Sequence, residues 1–262
     1  MTWKHHLVLS ALCLPLLLAT TTNAAVITED FDSYTDGVIG GQNDGVGWGD
    51  AWGATTSVND PVNEFEVVSG VALMMGNSDE QLAGGNQEII THSRPFADTV
   101  MVDTDTTLTL SFDLIVNETQ LGRGVGINLT DSTNSQMVFI GKQINQAASA
   151  NGVHSSIGAG GDDYTTLVES GSGSASLVAT FTSDGTDTFV SLTNGTETVS
   201  GTIAGTQFAF DGLDLTGYHR QTRTNGVDNI SIDVTNTAVP EPSTIMLSGL
   251  AAFVLVGIAR RK

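Results

Sequence analysis

The sequence predicts an all-β protein, a single antiparallel β-sandwich of jelly-roll type held between two short apolar chain ends. Three observations predict it. The 262-residue chain is only 15% charged and contains 30 glycines. Apolar residues recur at every second position in several short runs, the period of a half-buried strand. Asn-Gly and Asp-Gly pairs punctuate the chain, and residues 25–238 show no extended 3.6-residue period.

Taken in order, the strand candidates begin with Val26–Phe31, Glu64–Val68, Val71–Met75 and Glu88–Thr91. Thr107–Val116 carries the clearest alternation, with Leu108, Leu110, Phe112 and Leu114 on one face and Thr107, Thr109, Ser111 and Asp113 on the other. Gly124–Thr130 sets Val125, Ile127 and Leu129 on one face, and Met137–Ile140 follows. Ser176–Thr182 repeats the pattern with Leu177, Ala179 and Phe181. Phe189–Thr193 and Thr196–Ser200 flank Asn194-Gly195, the strongest short-range hairpin signal. Gln207–Phe210 and Asn229–Val234 close the series. Turns are expected at Asp36-Gly37, Asp44-Gly45, Asn151-Gly152, Asp184-Gly185, Asp211-Gly212 and Asn225-Gly226. About a dozen strands over about 215 residues suit one sandwich.

The two ends read as targeting segments. Residues 1–24 have a basic start at Lys4, an apolar run Leu7–Leu18, and small residues at Thr22 and Ala24, the −3 and −1 positions for signal cleavage after Ala24. The run is too short for a membrane span of about 20 residues. Cys13 is the chain's one cysteine and lies within this segment, so the mature protein has no thiol and no disulfide. Residues 239–262 read Val239-Pro240-Glu241-Pro242-Ser243-Thr244, then the apolar run Ile245–Ala259, then Arg260, Arg261 and Lys262. The run is expected to form a short hydrophobic transmembrane helix, with the three basic residues as its cytoplasmic stop. The prolines hold the tag extended and remove two N–H donors.

The order VPEPS, short span, RRK resembles the PEP-CTERM sorting signal of exopolysaccharide-producing Gram-negative bacteria. The resemblance implies that Pro240, Glu241 and Pro242 are a recognition tag for an exosortase, a membrane transpeptidase-like enzyme thought to cut near the motif. It implies export across the inner membrane to the cell surface or extracellular space, with transient anchoring and the C-terminus in the cytoplasm. Glu29–Gly53 (EDFDSYTDGVIGGQNDGVGWGDAWG) and Gly226–Val234 (GVDNISIDV) resemble the concanavalin-like, laminin-G-like sandwiches that accompany such tails. In those folds the first and last strands pair.

Charge narrows the partners. Nine Lys and Arg stand against 29 Asp and Glu, a formal net charge of −20. Without Lys4, Arg260, Arg261, Lys262 and Glu241, the body keeps five basic and 28 acidic residues, a net charge near −23. Nucleic acid is excluded as a partner, because phosphate binding needs a basic patch.

The chemistry-bearing motifs are few. The sequence lacks G-x-S-x-G, H-E-x-x-H, a P-loop and G-x-G-x-x-G. His92, His154 and His219 are far apart in sequence and are expected at the surface or in turns. Some concanavalin-like relatives are glucanases with three acidic residues on one strand; here Glu64 and Glu66, or Asp103 and Asp105, stand two apart without the third. The body is therefore expected to be non-catalytic. Trp48 and Trp52 lie in a Gly-Asp-rich stretch with Asp44 and Asp50. Either the indoles stack on sugar rings while the carboxylates accept hydroxyl hydrogen bonds, or both rings fill the core. Asp184 and Asp187 around Gly185 could supply oxygen ligands to Ca²⁺ or could be turn residues.

The expected function is that of an exported, exosortase-sorted surface or matrix protein that interacts with extracellular polysaccharide. Two other classes fit the same residues: a secreted polysaccharide-active hydrolase, and an acidic matrix protein cross-linked by divalent cations.

Overall fold

The structure is a computed structural model that describes residues 24–54, 56–58, 64–75, 88–117, 124–142, 150–157, 165–219 and 225–236. The signal segment before Ala24, the sorting motif, the apolar run and the basic end lie outside the described residues.

The described strands alternate inward apolar and outward polar residues, and one face of each can be buried only against a second sheet. Two antiparallel sheets result. The first has nine strands. Its order is β14 (Thr198–Ile203), β13 (Thr188–Thr193), β12 (Ala175–Ser183), β7 (Thr106–Ile115), β16 (Gly226–Asn236), β5 (Val71–Met75), β4 (Glu64–Val68) and β2 (Gly37–Val38). The ninth strand, β1 (Ala24–Glu29), pairs with β16. The second sheet runs β11 (Thr165–Ser172), β10 (Ala150–Ile157), β9 (Gln136–Lys142), β8 (Gly124–Asp131), β15 (Ala209–His219), β6 (Glu88–Met101) and β3 (Thr56–Val58).

The core between the sheets is continuous. On β7 the buried set is Leu108, Leu110, Phe112 and Leu114, as the alternation predicts. Opposite them, β8 and β15 contribute Val125, Ile127, Leu129, Leu213 and Leu215 to the same cluster. Phe181 and Phe210 meet edge to face at 5.6 Å between ring centroids across the two sheets.

The first and last strands pair, as the resemblance implies. Ala24 lies opposite Thr235 and Glu29 opposite Ile230. Residues 226–227 of β16 bond β5 on that same edge, so β1 and β5 lie end to end along β16. Between them β16 bulges at Asn229, whose φ is +51°. Ala24, the predicted cleavage point, is the first residue of β1.

Several expectations need correction. Asn151-Gly152 forms no turn but lies inside β10. Asp211-Gly212 lies inside β15, where the register to β6 shifts between Phe210 and Gly212. Strand β6 extends to Met101, well beyond Thr91; its inward positions 92 and 94 are polar, so the apolar pattern ends there while the strand continues. The Asn194-Gly195 hairpin forms, but around a four-residue loop: Thr193 pairs with Thr198, so β14 begins two residues later than expected.

Candidate functional site

Two places gather polar side chains in an organised way. The first is centred on Arg94, on the core-facing side of β6. Its side chain and that of Glu29 are both 0% exposed and form an ion pair. A guanidinium has five N–H donors, and each finds an acceptor here. Nε donates to the Asp50 carbonyl at 2.9 Å. Nη1 donates to Glu29 Oε2 and to the Tyr34 hydroxyl oxygen, the latter at 2.9 Å. Nη2 donates to Asn43 Oδ1 at 2.5 Å and to the Asp44 carbonyl at 2.6 Å. The Tyr34 O–H in turn donates to Glu29 Oε2 at 2.6 Å.

The indoles flank this cation. Arg94 Cζ lies 4.7 Å from the Trp48 ring centroid and 5.6 Å from that of Trp52. Trp48 Nε1 donates to the Thr28 carbonyl at 2.9 Å, and Trp48 also packs against Phe96 with centroids 5.7 Å apart. Trp52 is 2% exposed and packs on Phe31. A ring so enclosed offers no face to a sugar, so the stacking expectation for Trp52 is corrected to core packing; Trp48 is half-buried in the same stack. Asp44 and Asp50 stay exposed, but their backbone carbonyls hold Arg94. A hydrogen bond from Ser33, then one from the Gly45 N–H, keeps the Asp44 carboxyl below its usual range.

Close backbone approach explains why this stretch is rich in glycine. The stretch runs beside β6, with Gly49 N–H donating to the Pro95 carbonyl at 3.0 Å and Gly53 N–H to Ser93 at 2.8 Å. A Cβ on Gly49 would sit 2.7 Å from the Phe96 carbonyl oxygen. A Cβ on Gly45, whose φ is +80°, would sit 2.2 Å from that of Thr28. Burial holds the Glu29 carboxyl above its usual range, against the lowering effect of Tyr34, the Phe31 N–H and Arg94. Burial, then the bond to Glu29, pushes the Tyr34 phenol up to about 12, so it stays a donor. The whole arrangement is a lock that fixes residues 29–53 onto β6.

His92 also corrects an expectation. It is fully buried on the same face of β6, not at the surface. Nδ1 lies 3.1 Å from the Gly53 carbonyl and Nε2 accepts the Phe65 N–H at 3.4 Å, a pattern that fits a neutral ring protonated on Nδ1. Burial lowers its pKa.

The second place is the outer face of the seven-stranded sheet. Leu213, Leu215, Ile127 and Leu129 face the other sheet, so Asp214, Thr216 and Asn128 take the opposite side of their own sheet, where Thr216 and Asn128 are buried as well. Ser93 of β6, Asp214 of β15 and Asn128 of β8 stand side by side on adjacent strands. The Ser93 hydroxyl bonds the Asp214 carboxyl. Asn128 Nδ2 donates to Thr216 Oγ1 at 2.7 Å. Burial, opposed by the Ser93 bond and aided by the charge of Asp211, pushes the Asp214 carboxyl up to about 6. Sequence alternation alone could have placed these residues on one face, had β15 been read through its glycines.

Asp184 and Asp187 belong to a turn. Asp184 Oδ1 accepts the N–H groups of Thr186 and Asp187, each at 2.9 Å. Asp187 Oδ1 accepts the Gly205 N–H at 2.7 Å. The next hairpin repeats the arrangement with Asn194, whose Oδ1 accepts Thr196 and Glu197 N–H at 2.9 and 3.0 Å. A neutral amide does the same work, so this position does not need a charge for a cation. Among the described residues no group of three or more His, Cys, Asp or Glu is placed to hold a metal ion. Glu64 and Glu66 both lie in β4, either side of the buried Phe65 in sequence. Among the described residues no helix is long and apolar enough to cross a membrane.

Comparisons with known proteins follow the same division between body and tail. No curated protein matches the chain. Among solved structures, lectin II from Ulex europaeus is 8% identical, with 79% of this chain and 97% of that chain covered and a TM-score of 0.41. The VIP36 exoplasmic/lumenal domain, in a Ca²⁺/Man2-bound form, is 10% identical, with 80% and 91% covered and a TM-score of 0.44. A bifunctional GH43-CE protein of Bacteroides eggerthii is 10% identical, with 62% and 22% covered and a TM-score of 0.34. Likenesses this distant say nothing of ligand or activity. The tail gives a definite result: residues 238–262 match the PEP-CTERM protein-sorting motif.

Proposed function

We propose that this protein is exported cargo of an exosortase, with a non-catalytic body that engages extracellular polysaccharide at the outer face of the seven-stranded sheet. The exposed Ser93 hydroxyl and the partly exposed Asp214 carboxyl beside it carry the reading. Together they set a hydroxyl and a carboxyl side by side on one rigid sheet face, with the buried Asn128–Thr216 bond beside them; a hydroxyl and a carboxyl can donate to and accept from sugar hydroxyls. The sorting motif supports export, and the paired first and last strands support a self-contained body hung from its tail.

Retention on immobilised polysaccharides tests the reading. The wild-type protein should be retained by at least one of a panel of neutral and acidic exopolysaccharides. S93A and D214A should lose that retention while melting as cooperatively as the wild type. Equal retention of the variants, or retention of none by the wild type, refutes it. One observation favours a hydrolase instead: a carboxyl raised to about 6 suits a general acid. Release of reducing sugar, abolished in D214A, would establish that second reading.

A further inference from the structure

We propose that a groove beside the end of β16 is a docking surface for the membrane peptidase that reads the sorting motif. The inference rests on the sorting reading above. The groove has a volume of about 420 Å³ and lies between the start of β1 in one sheet and the end of β6 in the other. Val26 and Met101 line it and are 44% and 47% exposed, large values for residues of their type. Val234 and Asn236 of β16 line it too, and Asp98 and Asp103 add carboxylates.

Chain length ties this groove to the motif. Thr237, Ala238 and Val239 separate Asn236 from Pro240. Four residue steps reach at most about 14 Å, whatever their conformation. An enzyme that grips Pro240–Pro242 therefore works within that distance of Asn236 and meets the body at this end. The exposed apolar pair fits aliphatic side chains on the partner. A second copy is a poor occupant, because each body carries a net charge near −23.

The test uses the full chain expressed in a host that has the sorting enzyme, with removal of the tail followed by mass shift after a pulse. V26E/M101E places two charges on exposed positions of the groove and should melt like the wild type. Its processing should slow by roughly tenfold, as expected when two half-exposed aliphatic contacts are lost. A flexible insert of some 20 residues between Asn236 and Pro240 lets the enzyme reach the tag without the groove. With that insert, the double variant and its parent should be processed at the same rate. Wild-type processing of V26E/M101E overturns the groove alone. Failure of the wild-type chain to be processed overturns the sorting reading and the groove with it. A concentration-dependent dimer that V26E/M101E abolishes would assign the groove to a second copy and overturn the inference.

Discussion

Replacing Arg94 with Met removes a cation that binds Glu29, Tyr34, Asn43 and the carbonyls of Asp44 and Asp50. These losses are unequal. Asn43, Asp44 and Asp50 are exposed, so water can replace the guanidinium at their oxygens. Glu29 is 0% exposed and cannot be rehydrated without opening the fold. Breaking a buried pair from one side costs about 3–5 kcal/mol. For a domain of this size each kcal/mol moves the melting temperature by about 2–4 °C. R94M should therefore melt about 6–20 °C below the wild type by circular dichroism or calorimetry. Glu29→Gln added to R94M removes the stranded carboxylate and should recover part of the loss. R94K keeps a charge but lacks the planar fork, so it should fall between R94M and the wild type. Melting of R94M within about 2 °C of the wild type would refute the lock.

Other outcomes follow from the same geometry. Burial pushes the Asp214 carboxyl up to about 6 in the folded state, above the unfolded value of about 3.9, so the stability that its protonated form contributes is fully present below about pH 4 and is lost as pH rises through about 6. D214N should remove that slope and gain about 1–3 kcal/mol at pH 7; identical pH–melting curves from 4 to 7 would contradict it. His92 acts in the opposite sense, since its folded pKa is lowered: stability present above about 6.5 falls as pH drops. In an NMR titration its ring should take up a proton at lower pH than a free imidazole, and a midpoint at or above about 6.5 would count against the burial argument. Gly45→Ala forces a Cβ onto the Thr28 carbonyl from a left-handed φ and should cost about 2–3 kcal/mol in urea unfolding. Trp52→Ala should cost about 3–5 kcal/mol, and a near-neutral result would mean the indole is not core.

Local chemistry explains which strands were legible. The alternation of Thr107–Val116 and the strands at Glu64–Val68 and Val71–Met75 follow from neighbours along the chain, and the structure places strands at β7, β4 and β5 there. Strands β10 and β11 leave no mark in the sequence because small and polar residues fill them (Ala150–Ile157 and Thr165–Ser172) and give no apolar period. The two tryptophans were ambiguous for a similar reason. An indole beside aspartates reads the same on a surface or in a core until the cation that it covers is known.

The sequence by itself determined the sorting motif, the all-β class and the acidic character, because each is written in consecutive residues. Only the tertiary structure decided the role of Arg94, since it lies 65 residues from Glu29 and 46 from Trp48 along the chain and no local pattern joins them. It also brought Ser93, Asp214 and Asn128 onto one face, through strand pairings that span up to 121 residues. Contacts of that separation depend on which strands become neighbours, and sheet order is settled by burying all inward faces at once.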